Sequence, residues 1–230
     1  MPSDLEWAII LLSLKVSLVA MLATLPAAYG LAYLLARARF RGLLLLDALV
    51  HLPLVVPPVV TGWLLLMLLG RNGPIGGFLE SVFGLTLVFN WTGAALAAAV
   101  MALPLMVRAM RLSIEAVDRR LEGAARTLGA NRWRAFVSIT LPLSLPGIAA
   151  GAMLGFARSL GEFGATITFA SNIAGETRTL PLAIYSALQV PGAADQVTRL
   201  AVISIVLSLF ALLASEVLVR RSAARHAHVI

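Results

Sequence analysis

Polar residues are sparse in this chain, and they divide it into five long apolar runs. A helix needs about 20 predominantly apolar residues to cross a bilayer core of about 30 Å. The first run, 8–36, is interrupted by Lys15 and Pro26. It exceeds the length of a span, which predicts tilting or kinking. The second, 43–69, contains LPLVVPPVVTG with Pro53, Pro57 and Pro58. Each proline removes a backbone donor and frees a carbonyl that lipid cannot satisfy. The span itself is therefore expected to begin near Leu52, with 43–51 at the inner surface. The third run is 91–107; the fourth, 143–170, holds Arg158 and Glu162; the fifth is 198–219. A turn-rich stretch, RNGPIGGFLESVFGLTLVFN, joins the second and third runs. Between the fourth and fifth, 180–189 predicts a short interfacial helix. No repeat or low-complexity tract is visible. The pattern predicts an all-α integral membrane protein: one domain over 1–230 with five transmembrane helices.

Composition agrees. Hydrophobic residues make up 60% and charged residues 13%, against about 45–50% and about 25% in soluble domains. The net charge of +7 is topological rather than a nucleic-acid signal. Arg37, Arg39 and Arg41 follow the first run. Seven arginines between Arg108 and Arg134 end or follow the third, and Arg220, Arg221 and Arg225 follow the fifth. The other side holds Arg71, Arg178 and Arg199. Cytoplasmic loops are enriched in Lys and Arg, so the N-terminus is expected outside and the C-terminus in the cytoplasm. No Lys or Arg precedes the first run, which predicts a retained span rather than a cleaved signal peptide. There is no cysteine, and hence no disulfide or thiolate metal site. Of three histidines, His51 lies near a span, while His226 and His228 read as a solvated tail.

One stretch breaks the apolar pattern: LEGAARTLGANRWRAFVSITLP, 121–142. On the charge count it is part of a cytoplasmic loop, 118–142. Asp118 suits an N-cap. Leu121, Ala124, Ala125 and Leu128 then fall at i, i+3, i+4 and i+7, one face of a helix. Glu122 and Arg126 form an i,i+4 pair in the favourable order on another face, and Gly129 suits the left-handed position that ends a helix. At about ten residues, or about 15 Å, this helix cannot span. A second short helix, capped by Asn131, shares Trp133, Phe136, Val137 and Thr140 on one face. Leu141-Pro142 then opens the next span. The bland reading is an amphipathic loop packed on its own spans or on headgroups; the alternative is a surface for a partner.

These residues resemble the cytoplasmic "EAA" loop of ATP-binding-cassette importer permeases. Ala124, Ala125, Gly129, Ile139, Leu141 and Pro142 stand at the matching positions. Gly123 occupies the place of the family's Glu, and the acid, Glu122, stands one residue earlier. The stretches LPLVVPPVVTG, GRNGPIG and ARSLGEFGATITFASNIAGETRTLPLAIYSALQVPG look like the molybdate permease group. Sulfate permeases share the GEFGA core, 161–165. The resemblance implies a type I importer permease fold working as a homodimer in a prokaryotic inner membrane. Two ATPase subunits, carrying ATP and Mg, would receive the coupling helix Leu121–Leu128. An extracytoplasmic binding protein would deliver the oxyanion. The cargo implied is molybdate, with tungstate as a second cargo and sulfate or thiosulfate as the runner-up. Consistent with a separate motor, the chain has no G-x-x-x-x-G-K-[ST] phosphate loop; nor does it contain HExxH or G-x-S-x-G. It is therefore not expected to be an enzyme. An ion-gradient-driven secondary transporter is the rival class, but such folds often carry inverted repeats.

Other residues admit two readings each. Arg158 and Glu162 are i,i+4 on the fourth run, where each charge costs about 2.5–3.5 kcal/mol on insertion scales. They are either a gate or a buried pair that fixes packing. Their order, Arg before Glu, points each to another partner across the bundle. Lys15 lies about 10 Å into the first run. It either attracts an anion or snorkels or pairs structurally. Gly147, Gly151 and Gly155 form small-xxx-small patterns suited to close helix packing. Thr166, with Thr61, Ser159 and Thr168, offers hydroxyls either to a passing oxyanion or to its own backbone.

Overall fold

The computed structural model describes residues 3–227, and only the backbone at 214–216 and 218–227. His228 lies outside the described residues. Helix α1, Asp4–Arg37, opens with a capping box: Ser3 Oγ accepts from the Glu6 amide, and Glu6 Oε2 accepts from the Ser3 amide. Glu6 is 1% exposed because its other oxygen accepts from Arg199. That bond ties the first helix to the last, α11, Ala194–Ala227. At 34 residues, α1 is about 51 Å long, so it overruns the bilayer core.

The second apolar run is broken into two helices. α2, Leu43–Val55, passes through Pro53, and α3, Pro58–Leu69, leaves it at a bend of 116°. The expected start near Leu52 falls inside α2 rather than at the beginning of a helix. Pro57 forces Val56 into extended backbone (φ −71, ψ 136), and Pro58 opens the next helix at a position that needs no amide donor. The stretch expected to be turns holds α4, Pro74–Phe83, started by Pro74 and closed by Gly84 at φ 63.

Helix α5, Trp91–Ala116, is the centre of the fold. Asn90 Oδ1 accepts from the Thr92 and Gly93 amides at 3.0 Å each and caps it. Its Ala94, Ala97, Ala98, Met101, Ala102, Met106 and Met110 are buried. It runs beyond the apolar third run and carries Arg108 and Arg111 past it. Helix α1 packs on one side of α5 and α8, Leu141–Leu160, on another. The glycine stripe of α8 faces α5: a Cβ at Gly147 would meet Ser113, one at Gly151 would come within 2.9 Å of Met110 Cε, and one at Gly155 would strike Met106. Gly155→Ala is expected to cost about 1–3 kcal/mol, the range for overpacking. A lowered thermal midpoint of the purified chain in detergent would show it.

The fourth run also departs from expectation. The fourth span does not reach Ala170: the helix stops at Leu160, and after a break at 161–163 a short α9, Gly164–Phe169, begins. The segment 180–189 is a helix as expected, α10, Leu180–Leu188, with one face packed against the protein. Leu180 and Leu182 are fully buried, and the Leu180 amide donates to Ser13 Oγ of α1 at 2.7 Å. Among the described residues, four helices are long and apolar enough to cross a membrane, or five if the bent α2–α3 pair counts as one.

Candidate functional site

The loop after α5 folds into α6, Arg119–Thr127. Asp118 Oδ1 accepts from the Arg120 amide and caps its start. Its end is a Schellman motif: the Ala130 amide reaches Ala125 O, and the Gly129 amide reaches Arg126 O. Gly129 holds φ +90, where side chains are strained. No residue of α6 is buried. Leu121 is 47% and Leu128 88% exposed, and Ala124 is also exposed. The apolar face thus lies largely open, with only Ala125 partly covered.

The opposite face is anchored. Glu122 does not pair with Arg126, as local spacing suggested. Glu122 Oε1 instead lies 3.2 Å from Arg37 at the end of α1 and accepts from Thr140 Oγ1 at 2.6 Å. Arg37 also donates to Val117 O, and Arg119 donates to Ala36 O. A largely covered cation between two helix ends outcompetes a solvated i,i+4 partner, whose attraction is worth only about 0.2–0.5 kcal/mol. The displaced acid of the loop motif is thereby committed inward, to the scaffold.

The second short helix is not separate from the next span. Asn131 caps α7, Arg132–Ala135, through the Arg134 amide. A π turn, Phe136–Thr140, then carries it into α8, so one rod runs from Arg132 to Leu160. Pro142 was expected to start the span. It is absorbed instead, because Leu141 N bonds Phe136 O and the widened turn makes room for a residue without an amide donor. Ile139 and Leu141 lie half-buried on this segment. At 29 residues the rod is about 43 Å long. It is held to α1 by Phe136, whose ring meets Tyr33 edge-on at 5.1 Å, and by Tyr29 against Ser144 Oγ at 2.9 Å.

At the far end of the rod lies the break at 161–163. Arg158 and Glu162 do not seek other partners: Arg158 Nη1 is 2.6 Å from Glu162 Oε2. Nor are they on one helix, because Glu162 follows the helix end. Its second oxygen accepts from the Ala165 amide at 2.8 Å and so starts α9. Unwinding lets the carboxylate swing back to Arg158, which the unfavourable helical order would not. The short α9 lies on α3. A Cβ at Gly62 would sit 2.6 Å from Ala165 O, and one at Gly164 2.7 Å from Pro58 Cβ. The two breaks in the chain thus pack on each other. Thr166 is buried there, and Ser159 Oγ is buried without a partner among the described residues. Lys15 places its Nζ 3.6 Å over the Trp91 ring.

A polar cluster went unnoticed in the sequence. Asp47 of α2 lies 3.1 Å from both His51 Nδ1 and Arg111 Nη1, and Arg111 Nε is 2.8 Å from Glu115. With Arg108 these line a cleft of about 360 Å³. Two i,i+4 pairs, Asp47–His51 and Arg111–Glu115, were its available signal.

A family model described as "binding-protein-dependent transport system inner membrane component" matches residues 8–224. The chain belongs to that family. This permease is 59% identical over 223 residues to the molybdenum transport system permease protein ModB of Escherichia coli (strain K12), covering 97% of each chain. It is 42% identical over 159 residues to the sulfate transport system permease protein CysT of the same strain, covering 69% of this chain and 57% of that one. Among solved structures, that of a bacterial ABC transporter importing the acidic polysaccharide alginate matches with TM-score 0.76 at 19% identity, over 96% of this chain and 80% of that chain. The fold is that of an ABC importer permease, as the loop motif implied, and the family places the chain in an inner membrane.

Proposed function

We propose that the permease passes molybdate, and tungstate with it, into the cytoplasm as a homodimer driven by two ATPase subunits and fed by an extracytoplasmic binding protein. The observation that carries the cargo is the identity of 59% across 97% of both chains to a molybdenum permease, against 42% across 69% for a sulfate permease. The N-terminus lies outside and the C-terminus in the cytoplasm, on the arginine distribution. ATP and Mg reside on the ATPase. Docking on α6 is supported by its bare apolar face and its inward-anchored Glu122. An ATPase that pushes α6 moves the Arg132–Leu160 rod, and with it the break where Arg158, Glu162 and Thr166 meet α3.

Reconstitution with the ATPase and binding protein tests this. Nucleotide-dependent uptake of labelled molybdate is expected. Tungstate should compete strongly and sulfate at least about tenfold more weakly, the factor for a difference of about 1.4 kcal/mol. Equal competition by sulfate would transfer the assignment to the runner-up. Uptake that follows an ion gradient without nucleotide would reject the ABC mechanism. Photo-crosslinks from Ala124 or Ala125 should reach the ATPase; capture of lipid alone would remove α6 from the docking surface.

A further inference from the structure

We propose that the cleft between the end of α1 and the foot of the rod binds an anionic phospholipid of the inner leaflet. The cleft has a volume of about 400 Å³ and is lined by Tyr29, Gly30, Tyr33, Arg132, Trp133 and Phe136. Its walls are almost wholly apolar, and Gly30 opens it: a Cβ there would meet nothing within 4 Å. Trp133 stacks on Phe136 at 5.4 Å yet remains 71% exposed. Arg132 stands at the cytoplasmic mouth and enters none of the ion pairs among the described residues.

Three physical facts select the occupant. Tyr29 lies about 12 Å along α1 from Arg37, so the cleft runs from the inner headgroup level into the acyl region. An aromatic wall of that depth matches a lipid chain, while indole and phenol groups favour the headgroup boundary. An unpaired guanidinium at the mouth matches a phosphodiester, with bidentate geometry and full charge. Basic pockets on the cytoplasmic side are suited to anionic headgroups rather than zwitterionic ones. The bound chain would pack against Phe136, within the π turn that joins α7 to α8. The lipid would thus brace the joint through which α6 moves the rod. This inference rests on the cytoplasmic placement of the α1 end proposed above.

The permease–ATPase complex, purified in mild detergent with equal phosphatidylglycerol and phosphatidylcholine, provides the test by native mass spectrometry. The unaltered complex is expected to retain phosphatidylglycerol preferentially. Arg132→Gln should reduce that preference about fivefold, the factor for about 1 kcal/mol per basic residue at an anionic surface. Gly30→Leu, a good helix former entering open space, should lower retention of both lipids while the thermal midpoint holds. An unchanged lipid ratio in Arg132→Gln, or unchanged retention in Gly30→Leu, would overturn the proposal. Loss of ATPase co-elution in Arg132→Gln with the lipid ratio intact would assign the cleft to the ATPase instead. Cargo plays no part in this readout, so failure of the molybdate assay and failure of the lipid site are separately visible.

Discussion

Gly129→Val is expected to lower ATP-driven uptake at least about fivefold while the protein still inserts and folds. Gly129 sits at φ +90, two residues past the α6 end, and its amide and that of Ala130 close the Schellman motif. A side chain in left-handed backbone costs about 1–2 kcal/mol, and a β-branched one adds χ1 restriction. Such energies shift a two-state balance by about 5- to 30-fold. The strain falls on a helix with no buried residue, so the cheapest response is to unwind its last turn. Leu128 and the exposed apolar face would then lose their fixed presentation. Gly129→Asn, which tolerates this region better, should retain most of the uptake, and Gly129→Ala should fall between. Basal ATP hydrolysis with lost uptake would mark uncoupling. Full uptake by Gly129→Val would mean that the α6 terminus transmits nothing.

The second large effect is expected at the break. Arg158→Met leaves the Glu162 carboxylate 3% exposed with only the Ala165 amide as partner. Stranding a buried charge costs about 3–5 kcal/mol, and the 25% exposure of the Arg158 side chain places this case at or below the lower end. Folded yield and thermal midpoint in detergent should drop accordingly. Adding Glu162→Gln should restore most of the loss, since the amide oxygen still accepts from Ala165 and no charge is stranded. If the double variant is as unstable as Arg158→Met, the ion pair does not hold the break. Uptake adds a further reading: a double variant that recovers stability but not transport would place one of these charges on the cargo's route.

What could be read from the sequence was what chemistry within a few residues decides. Asp118, Gly129 and Asn131 perform the capping their types suggested, because each cap bond spans two to five residues. The apolar runs became helices for the same reason. Misreadings cluster where distant packing or proline geometry intervenes. Glu122 prefers Arg37 over Arg126 because α1 ends beside α6, which no local pattern reveals. Pro57 and Pro58 break the second run, while Pro142 is swallowed by a π turn; the three prolines look alike in sequence. Helix α4 was overlooked although Pro74 and Gly84 mark its ends, because glycines inside it mimic a loop. In the candidate site, the loop motif was visible. The meeting of α9 with α3 was not, since it joins segments far apart in the chain.

The seam between α5 and α8 has a mechanical corollary. On one side stand Met106 and Met110, unbranched and pliable; on the other, Gly151 and Gly155 present bare backbone. Thioether chains are unbranched and flexible, and they fill the grooves that the two glycines leave open. The seam is tightly filled, but what fills it is pliable. A shift of α8 against α5 would therefore be met by rotamer changes in Met106 and Met110 rather than by collision of branched side chains.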